Sequence, residues 1–104
     1  MARFDLYANR NAAERRTLPF YLDVQAESLR HLATRVVIPL VVQSAFGPRI
    51  EYLHPVFEVQ GKRLVLATTD IVGVEARLLG ARAGSLAEHS FEIVSAIDYL
   101  LAGV

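Results

Sequence analysis

A chain of 104 residues has room for one hydrophobic core and not for two, so we expect a single domain over residues 1–104. Hydrophobic residues make up 53% of the chain and charged residues 21%, which excludes a disordered protein and leaves apolar surface for contacts between subunits. Eleven Lys and Arg residues balance eleven Asp and Glu residues, so no overall charge favours nucleic acid, an anionic membrane or an acidic substrate.

The absence of cysteine excludes disulfides and thiol catalysis and fits a reducing compartment. The longest strongly apolar run, Val36 to Val42, is broken by Pro39 and is far shorter than the ~20 residues that span a bilayer. The first residues lack the basic start and the apolar stretch of a secretory signal. We therefore expect a cytoplasmic protein without a membrane segment.

Alternating apolar and polar residues predict strands in the first part of the chain. The first strand is predicted over residues 3–8 and the second over residues 20–25, with a polar loop over residues 9–19 between them. A third, over residues 35–42, is apolar on both faces, which is typical of a central strand. Pro39 removes one donor from that ladder, so it indicates an edge, a bulge or a bend.

Glycine marks the next turns. Residues 55–60 and 62–68 flank Gly61, which predicts a hairpin with a tight turn. A further alternating strand is predicted over residues 74–79, and residues 80–84 are expected to form a loop.

A helix is predicted at the end of the chain. Ser85 and Glu88 fit a capping box, so the helix should begin near Ser85. Gly103 lies where a helix often stops. Between them, helical spacing relates Ile93, Ala96, Ile97, Leu100 and Leu101. The expected architecture is an antiparallel β-domain of about five to seven short strands closed by one C-terminal helix.

Side chains that carry chemistry are few and scattered. His31, His54 and His89 stand far apart and none has metal-ligand spacing, so no metal site and no cofactor is expected. No serine lies in a nucleophile-elbow context. The hydroxyls and carboxylate of residues 68–70 could handle a proton at a strand end, but threonine is also a good strand residue and aspartate a good turn cap.

Three arginines in the first loop, Arg10, Arg15 and Arg16, could bind phosphate. No aromatic residue is interleaved with them to stack on bases. This composition favours a solvated loop and no direct contact with nucleic acid.

The chain ends in an apolar helix without a polar tail, although chain ends normally fray. Packing into the core is one explanation, since each buried large apolar side chain contributes roughly 1.5 to 3 kcal/mol. It does not account for Tyr99, Leu100 and Leu101 in succession, because three helical neighbours cover about 200° of the circumference and cannot all face one sheet. We expect part of this surface to meet another protein chain.

A series of short motifs runs in order along nearly the whole chain: Phe4 to Tyr7, Leu22 to Gln25, Arg35 to Leu40, Pro55-Val56, Thr68 to Asp70, and Ser95 to Asp98 before a glycine and an aliphatic terminus. In order and spacing these motifs resemble the CcdB family of toxins from bacterial toxin–antitoxin modules.

The resemblance implies a mainly β fold, an SH3-like antiparallel barrel with a C-terminal α-helix, that forms a homodimer. It also implies a toxin that binds the A subunit of DNA gyrase, traps the cleaved DNA complex and performs no catalysis itself. A CcdA-like antitoxin, whose disordered C-terminal segment wraps the dimer, would neutralise it.

In this family the end of the C-terminal helix, usually Trp-Gly-Ile, makes the chief contact with gyrase. Gly103 matches that pattern, Val104 replaces the terminal isoleucine conservatively, and Leu101 does the same for an aromatic residue before the tryptophan. The gyrase-binding set implied by the resemblance is Leu29, Asp98, Leu101, Ala102, Gly103 and Val104.

Some positions depart from the family pattern. Ala102 stands where the indole should be, and losing that anchor removes about 2 kcal/mol or more of binding free energy. Gyrase binding should then weaken at least tens of fold, at about 1.4 kcal/mol per factor of ten, unless other contacts compensate. Asp98 occupies a position that is commonly asparagine. Leu29 matches an aliphatic contact position, whereas its neighbour Ser28 does not.

Two other functions stay open. The MazF-like and Kid-like ribonucleases share the fold class, and Arg15, Arg16 and Thr68 could surround an RNA phosphate, although no general base is placed near those arginines. Alternatively, the chain is a homologue that keeps the fold and the antitoxin contact but has lost or changed its target, as Ala102 suggests.

Overall fold

The computed structural model describes residues 1–104 and shows seven strands in one antiparallel sheet, followed by a helix. The strands are β1 (Asp5–Ala8), β2 (Phe20–Asp23), β3 (Thr34–Val42), β4 (Val56–Val59), β5 (Lys62–Leu66), β6 (Val72–Glu75) and β7 (Arg82–Ser85). The helices are α1 (Gln43–Phe46) and α2 (Ser90–Ala102). The sheet curls into a half-barrel, so the expected mainly β fold with a C-terminal helix is confirmed.

The strand order is β4-β5-β3-β2-β1-β7, and β6 pairs with β3 beyond the end of β5. The predicted hairpin is confirmed: β4 and β5 are joined by Gln60 and Gly61, both with positive φ (52° and 78°). A two-residue turn of this kind matches the twist of the flanking strands, and glycine adopts it without strain.

Strand β3 is central, as its apolar pattern predicts, and Pro39 lies within it. On one side β3 pairs with β2 through its middle, residues 37–40, and on the other it pairs first with β6 and then with β5. The carbonyl of Pro39 accepts from the Ala67 amide, on the side where β6 has ended and β5 begins. Since the N and C=O of a strand residue face the same side, the missing donor of Pro39 falls in this gap and breaks no ladder bond.

Two predictions in the second half of the chain are wrong. The strand expected over residues 74–79 is shifted: β6 is Val72–Glu75, and Ala76–Leu78 is a 3₁₀ turn. Residues 80–84 are not all loop, because β7 (Arg82–Ser85) pairs with β1. Gly80 serves this pairing, since its amide donates to the Ala8 carbonyl at 3.0 Å and a Cβ there would lie 2.5 Å from that oxygen.

The core lies between the concave face of the sheet and α2. Each of the four central strands contributes leucine or isoleucine side chains to it, and α2 contributes Ile93 and Ala96, both fully buried. The fully or nearly fully buried sheet residues in this cluster are Leu6, Leu22, Ile38, Leu40, Leu64 and Leu66. Burying apolar area on this scale is what holds a short helix on a small sheet.

The start of the helix differs from its prediction. Ser85 Oγ accepts from the Ala87 amide at 3.1 Å, but the Glu88 side chain does not return to Ser85 and lies 3.7 Å from His89 Nε2. A 3₁₀ turn, Ala87–His89, therefore precedes α2. The predicted end is confirmed, because Gly103 adopts positive φ (76°) and donates to the Tyr99 carbonyl.

Candidate partner-binding surface at the C-terminal helix

Helix α2 is anchored along one side and exposed at its end. Ile93 and Ala96 are fully buried, and Ile97 packs against the same core. Beyond them the helix runs past the sheet, so that Leu101 is 77% and Val104 89% exposed. The chain end is thus not packed into the core of its own subunit. A rigid helix presents apolar side chains at its tip.

A second exposed face runs along α2. Phe91 is 82% exposed, and Ser95, Asp98 and Tyr99 lie one or two turns further along the same side. Residues spaced by three or four share a helix face, so these four form a stripe beside the buried one. An exposed phenylalanine at the start of such a stripe is unfavourable in water and favours a contact.

This stripe forms one side of a groove of about 720 Å³. The other side is the segment that contains Arg49, Glu51 and Tyr52, and Tyr52 is 74% exposed. Strands β4 and β5 contribute Val56 and Arg63 to the lining. We call this the helix groove; its lining from α2 and the chain end is Phe91, Glu92, Ser95, Asp98, Tyr99 and Val104.

The charges of the helix groove are mixed. Arg49 and Arg63 are opposed by Glu51, Glu92 and Asp98. With both signs present, no strong field selects a purely anionic or cationic ligand. The combination of exposed aromatic rings with charged residues around them is instead typical of a protein-binding surface.

The segment that contains Arg49, Glu51 and Tyr52 makes hydrogen bonds to His54, which is buried. The Ile50 amide donates to His54 Nδ1 at 3.1 Å, and Arg49 Nη1 donates to the His54 carbonyl at 3.0 Å. The imidazole packs against the Phe46 ring, with centroids 4.9 Å apart. Burial lowers the pKa of His54 below its ordinary value of 6.5, outweighing the nearby Asp70, which acts in the opposite direction.

The structure places the implied gyrase-binding residues in two regions. Asp98 and Val104 line the helix groove, and residues 101–103 form the exposed tip beside it. Leu29 lies in a separate 3₁₀ turn, Glu27–Leu29, between β2 and β3, and does not line the groove. Within one chain, the helix end and the Leu29 turn are therefore separate surfaces.

Sequence reasoning singled out Tyr99 on this surface but missed Phe91 and Tyr52. Phe91, Ser95, Asp98 and Tyr99 show the i, i+4, i+7, i+8 spacing of one helix face, which is a readable signal when the buried stripe is set aside. Tyr52 carries no such signal, because its place opposite α2 depends on the fold of the whole chain.

Two of the residues considered for ribonuclease activity, Thr68 and Arg15, make hydrogen bonds to the backbone of this chain. Thr68 is fully buried and its hydroxyl donates to the Leu66 carbonyl at 3.4 Å. Arg15 Nε donates to the Asn9 carbonyl at 2.8 Å, within the first loop. The buried Thr68 hydroxyl is therefore not accessible to an RNA phosphate.

The contact between His54 and Thr69 has the wrong polarity for nucleophile activation. Because His54 Nδ1 accepts from the Ile50 amide, the ring proton of the neutral imidazole is on Nε2, 3.3 Å from Thr69 Oγ1. The imidazole therefore donates towards this hydroxyl, whereas a general base must accept from it.

No group of three or more His, Cys, Asp or Glu side chains is arranged to hold a metal ion. None of the helices has the length and apolar character needed to cross a membrane.

Comparison with known proteins gives one clear result. Among curated proteins no significant match is found. The family model described as CcdB protein matches residues 3–103, which is nearly the whole chain. Together with the curled antiparallel sheet and the C-terminal helix, this match shows that the chain belongs to the CcdB family, whose members are toxins that poison gyrase.

Proposed function

We propose that this protein is the toxin of a toxin–antitoxin module and inhibits DNA gyrase by binding its A subunit and trapping the cleaved DNA complex. The observation that carries the proposal is the exposed apolar tip of α2, Leu101 to Val104, on a helix anchored by Ile93 and Ala96 in a chain of this family. The toxin acts by binding and the reaction that it blocks belongs to the gyrase.

A homodimer is the proposed form in which the single domain of residues 1–104 acts. The β3–β6 region and the turn before it expose large apolar side chains, among them Leu29, Leu32, Val36 and Val72. Apolar side chains gathered in one region favour burial by another chain. A two-fold dimer would place two helix tips in one assembly, so that a symmetric target could contact both.

The absence of an indole at Ala102 sets the expected strength of the interaction. Leu101 and Val104 together offer two aliphatic side chains, whereas a large rigid aromatic anchor is typical of interface hot spots. We therefore propose weak binding of gyrase by the tip alone. Phe91 and Tyr99 in the helix groove provide further aromatic contacts that a partner can use.

The second proposed partner is a CcdA-like antitoxin that neutralises the toxin. Gyrase acts on chromosomal DNA, so toxin and antitoxin are both placed in the cytoplasm. The mixed charges of the surface and the solvated arginine loop support protein partners over direct binding of nucleic acid.

A gyrase cleavage assay with purified protein tests this proposal. We expect linear DNA to accumulate when the protein is added to gyrase, ATP and supercoiled plasmid. Leu101→Asp and Val104→Asp should abolish the effect, because a desolvated carboxylate in an apolar contact is costly. Leu78→Asp is the matched control, since Leu78 is an exposed leucine in the Ala76–Leu78 turn, outside α2.

Failure of the wild-type protein to trap cleaved DNA at any concentration would overturn gyrase poisoning as its function. In that case the better hypothesis is that the protein is a homologue with a changed target, and the alanine at position 102 favours it. Expression without antitoxin in cells that carry wild-type or CcdB-resistant gyrase separates the two. Toxicity that does not depend on the gyrase allele indicates another target.

A further inference from the structure

The segment that forms the outer side of the helix groove folds around a buried imidazole, that of His54. His54 is only 6% exposed, and its two ring nitrogens connect this segment to the Thr68–Asp70 turn. Nδ1 accepts from the Ile50 amide, and Nε2 lies 3.3 Å from Thr69 Oγ1 on the turn that packs under α2. The His54 amide also donates back to the Ile50 carbonyl at 2.8 Å. Residues 50–54 thus close a small loop around the ring.

This arrangement requires a neutral imidazole. A backbone amide can only donate, so Nδ1 must keep its lone pair, and the one ring proton must be on Nε2. Protonation would place an N–H on Nδ1, pointing at the Ile50 N–H 3.1 Å away. The bond would be lost and two donors would face each other. The charged ring would also be buried with little solvent contact.

The groups that face His54 act in opposite directions. Asp70, on the Thr68–Asp70 turn, favours the charged imidazole, whereas Arg49, on the same segment as His54, disfavours it. Phe46 from α1 and the Thr69 hydroxyl are uncharged neighbours. Burial is the largest influence and lowers the pKa of His54, so the ring is neutral at pH 7 and the hydrogen bond to Ile50 is formed.

We propose that His54 is a pH-dependent latch: its neutral ring holds residues 49–52 as the outer side of the helix groove, and its protonation releases them. Arg49 and Tyr52 would then leave their positions opposite Phe91 and Tyr99, and the groove would lose its shape. The latch itself follows from the geometry around His54. Only its effect on gyrase binding rests on the proposed function, because Asp98 and Val104 line the same groove.

The direction of the pH effect follows from linkage. In the released segment His54 titrates near its ordinary value of 6.5, and in the held segment its pKa lies lower. The latch therefore contributes its full stabilisation above pH 6.5 and loses it as the pH falls towards the lower value. As the pH falls from 6.5 towards the lower pKa of the held segment, the fraction of molecules in which the segment is open rises.

Amide hydrogen exchange measured by NMR on the intact protein tests the latch. Between pH 7.5 and pH 5.5 we expect the protection factor of the Ile50 amide, corrected for the intrinsic exchange rate, to fall about threefold or more. Protection of the Leu22 and Ile38 amides, in the central strands, should fall less. This comparison separates opening of the segment from global unfolding.

Two substitutions at the same position distinguish the role of each ring nitrogen. In His54→Asn the side-chain oxygen replaces Nδ1 as an acceptor that does not titrate, so Ile50 should stay protected at both pH values. In His54→Gln the side chain reaches towards Thr69 instead, so Ile50 should be poorly protected at both. His31→Asn is the control, since His31 is exposed and makes no hydrogen bond, and it should behave as the wild type.

The latch is overturned if the Ile50 amide of the wild-type protein is as insensitive to pH as that of His54→Asn, or if NMR titration places the His54 pKa above 6.5. Gyrase binding of wild type and His54→Asn, measured at the same two pH values, tests the connection to function. If exchange changes as expected and gyrase never binds, the latch stands and the proposed function fails.

Discussion

Arg35 and Asp23 form an ion pair on neighbouring strands with both side chains fully buried, and Arg35 Nη2 lies 2.7 Å from Asp23 Oδ2. Arg35 Nε donates to the same oxygen at 2.8 Å, and the Gln25 amide donates to the other carboxylate oxygen at 3.0 Å. Nη1 of Arg35 is buried with no hydrogen-bond partner. A charge in such a position depends strongly on its one counter-ion.

We therefore expect Asp23→Asn to lower the free energy of unfolding by about 3 kcal/mol or more, since it leaves the Arg35 guanidinium buried without a carboxylate. The double variant Asp23→Leu, Arg35→Met should be destabilised less than this single variant, because it leaves no unpaired charge. Urea denaturation followed by circular dichroism measures both. A loss under about 1 kcal/mol in the single variant would contradict the argument.

A second buried carboxylate depends on an exposed arginine. Burial raises the pKa of Asp5, but the hydrogen bond and charge of Arg82, with smaller contributions from the Ala2 amide and the Tyr7 hydroxyl, outweigh it and hold the pKa below its ordinary 3.8. Arg82 Nε lies 3.2 Å from Asp5 Oδ2. The ionised carboxylate therefore contributes stability that is complete above pH 3.8 and is lost as the pH falls through the lowered value.

Arg82→Gln removes the positive charge, so the pKa of Asp5 should rise and the stability that its ionised carboxylate contributes above pH 3.8 should become smaller. NMR titration of the Asp5 carboxyl carbon measures the first effect, and urea denaturation at pH 7 measures the second. Arg77→Gln is the matched control, because Arg77 pairs with the exposed Glu75. An Asp5 titration that is the same in both variants would show that Arg82 has no part in the shift.

Gly80 provides a test of the pairing between β1 and β7. A Cβ at this position would lie 2.5 Å from the Ala8 carbonyl oxygen, a backbone atom that cannot move independently. Gly80→Ala should therefore cost about 1 to 3 kcal/mol of unfolding free energy. Gly73→Ala is the control, since nothing lies within 4 Å of the added carbon there. Equal stability of the two variants would contradict the close approach.

Short-range patterns predict those parts of the fold that depend on local residues. Alternation is enough for β1 and β2, and a run that is apolar on both faces is enough for β3. Gly61 predicts the β4–β5 hairpin, and Gly103 predicts the end of α2. Strand β7 escapes prediction because its partner β1 lies at the other end of the chain. Gly84 within β7 and Gly80 just before it resemble a loop when the close approach of Gly80 to Ala8 is unknown. Tertiary pairing overrides local preference at this edge.

The candidate surface could likewise be predicted only in part from the sequence. An apolar helix end longer than one stripe predicts exposed side chains at Leu101 and Val104. The helix groove needs Tyr52 and Phe91 to line one cavity although they lie far apart in the chain, and this depends on how the segment after α1 folds around His54. No spacing along the chain encodes that contact.

The two sides of α2 should respond very differently to truncation. Ile93→Ala removes a fully buried side chain from the core and should cost about 2 to 5 kcal/mol of unfolding free energy. Leu101→Ala removes an exposed side chain and should change stability by about 0.5 kcal/mol or less. Thermal and urea denaturation of both variants measure this contrast. A large loss from Leu101→Ala would mean that the tip is buried within the free protein.

Ala102→Trp tests whether the helix tip still has the geometry of a gyrase-binding surface. Ala102 is exposed at the end of α2, where an indole can be added without displacing core residues. A well-placed aromatic anchor contributes about 2 kcal/mol or more, so the affinity for the gyrase A subunit should rise tenfold or more. Leu78→Trp is the control, because it adds an indole to an exposed position in the Ala76–Leu78 turn, outside α2 and the helix groove. If neither variant gains affinity, the tip no longer fits gyrase, and the hypothesis of a changed target is favoured. If both variants gain equally, the indole acts through general hydrophobicity, and the tip is not a specific gyrase-binding surface.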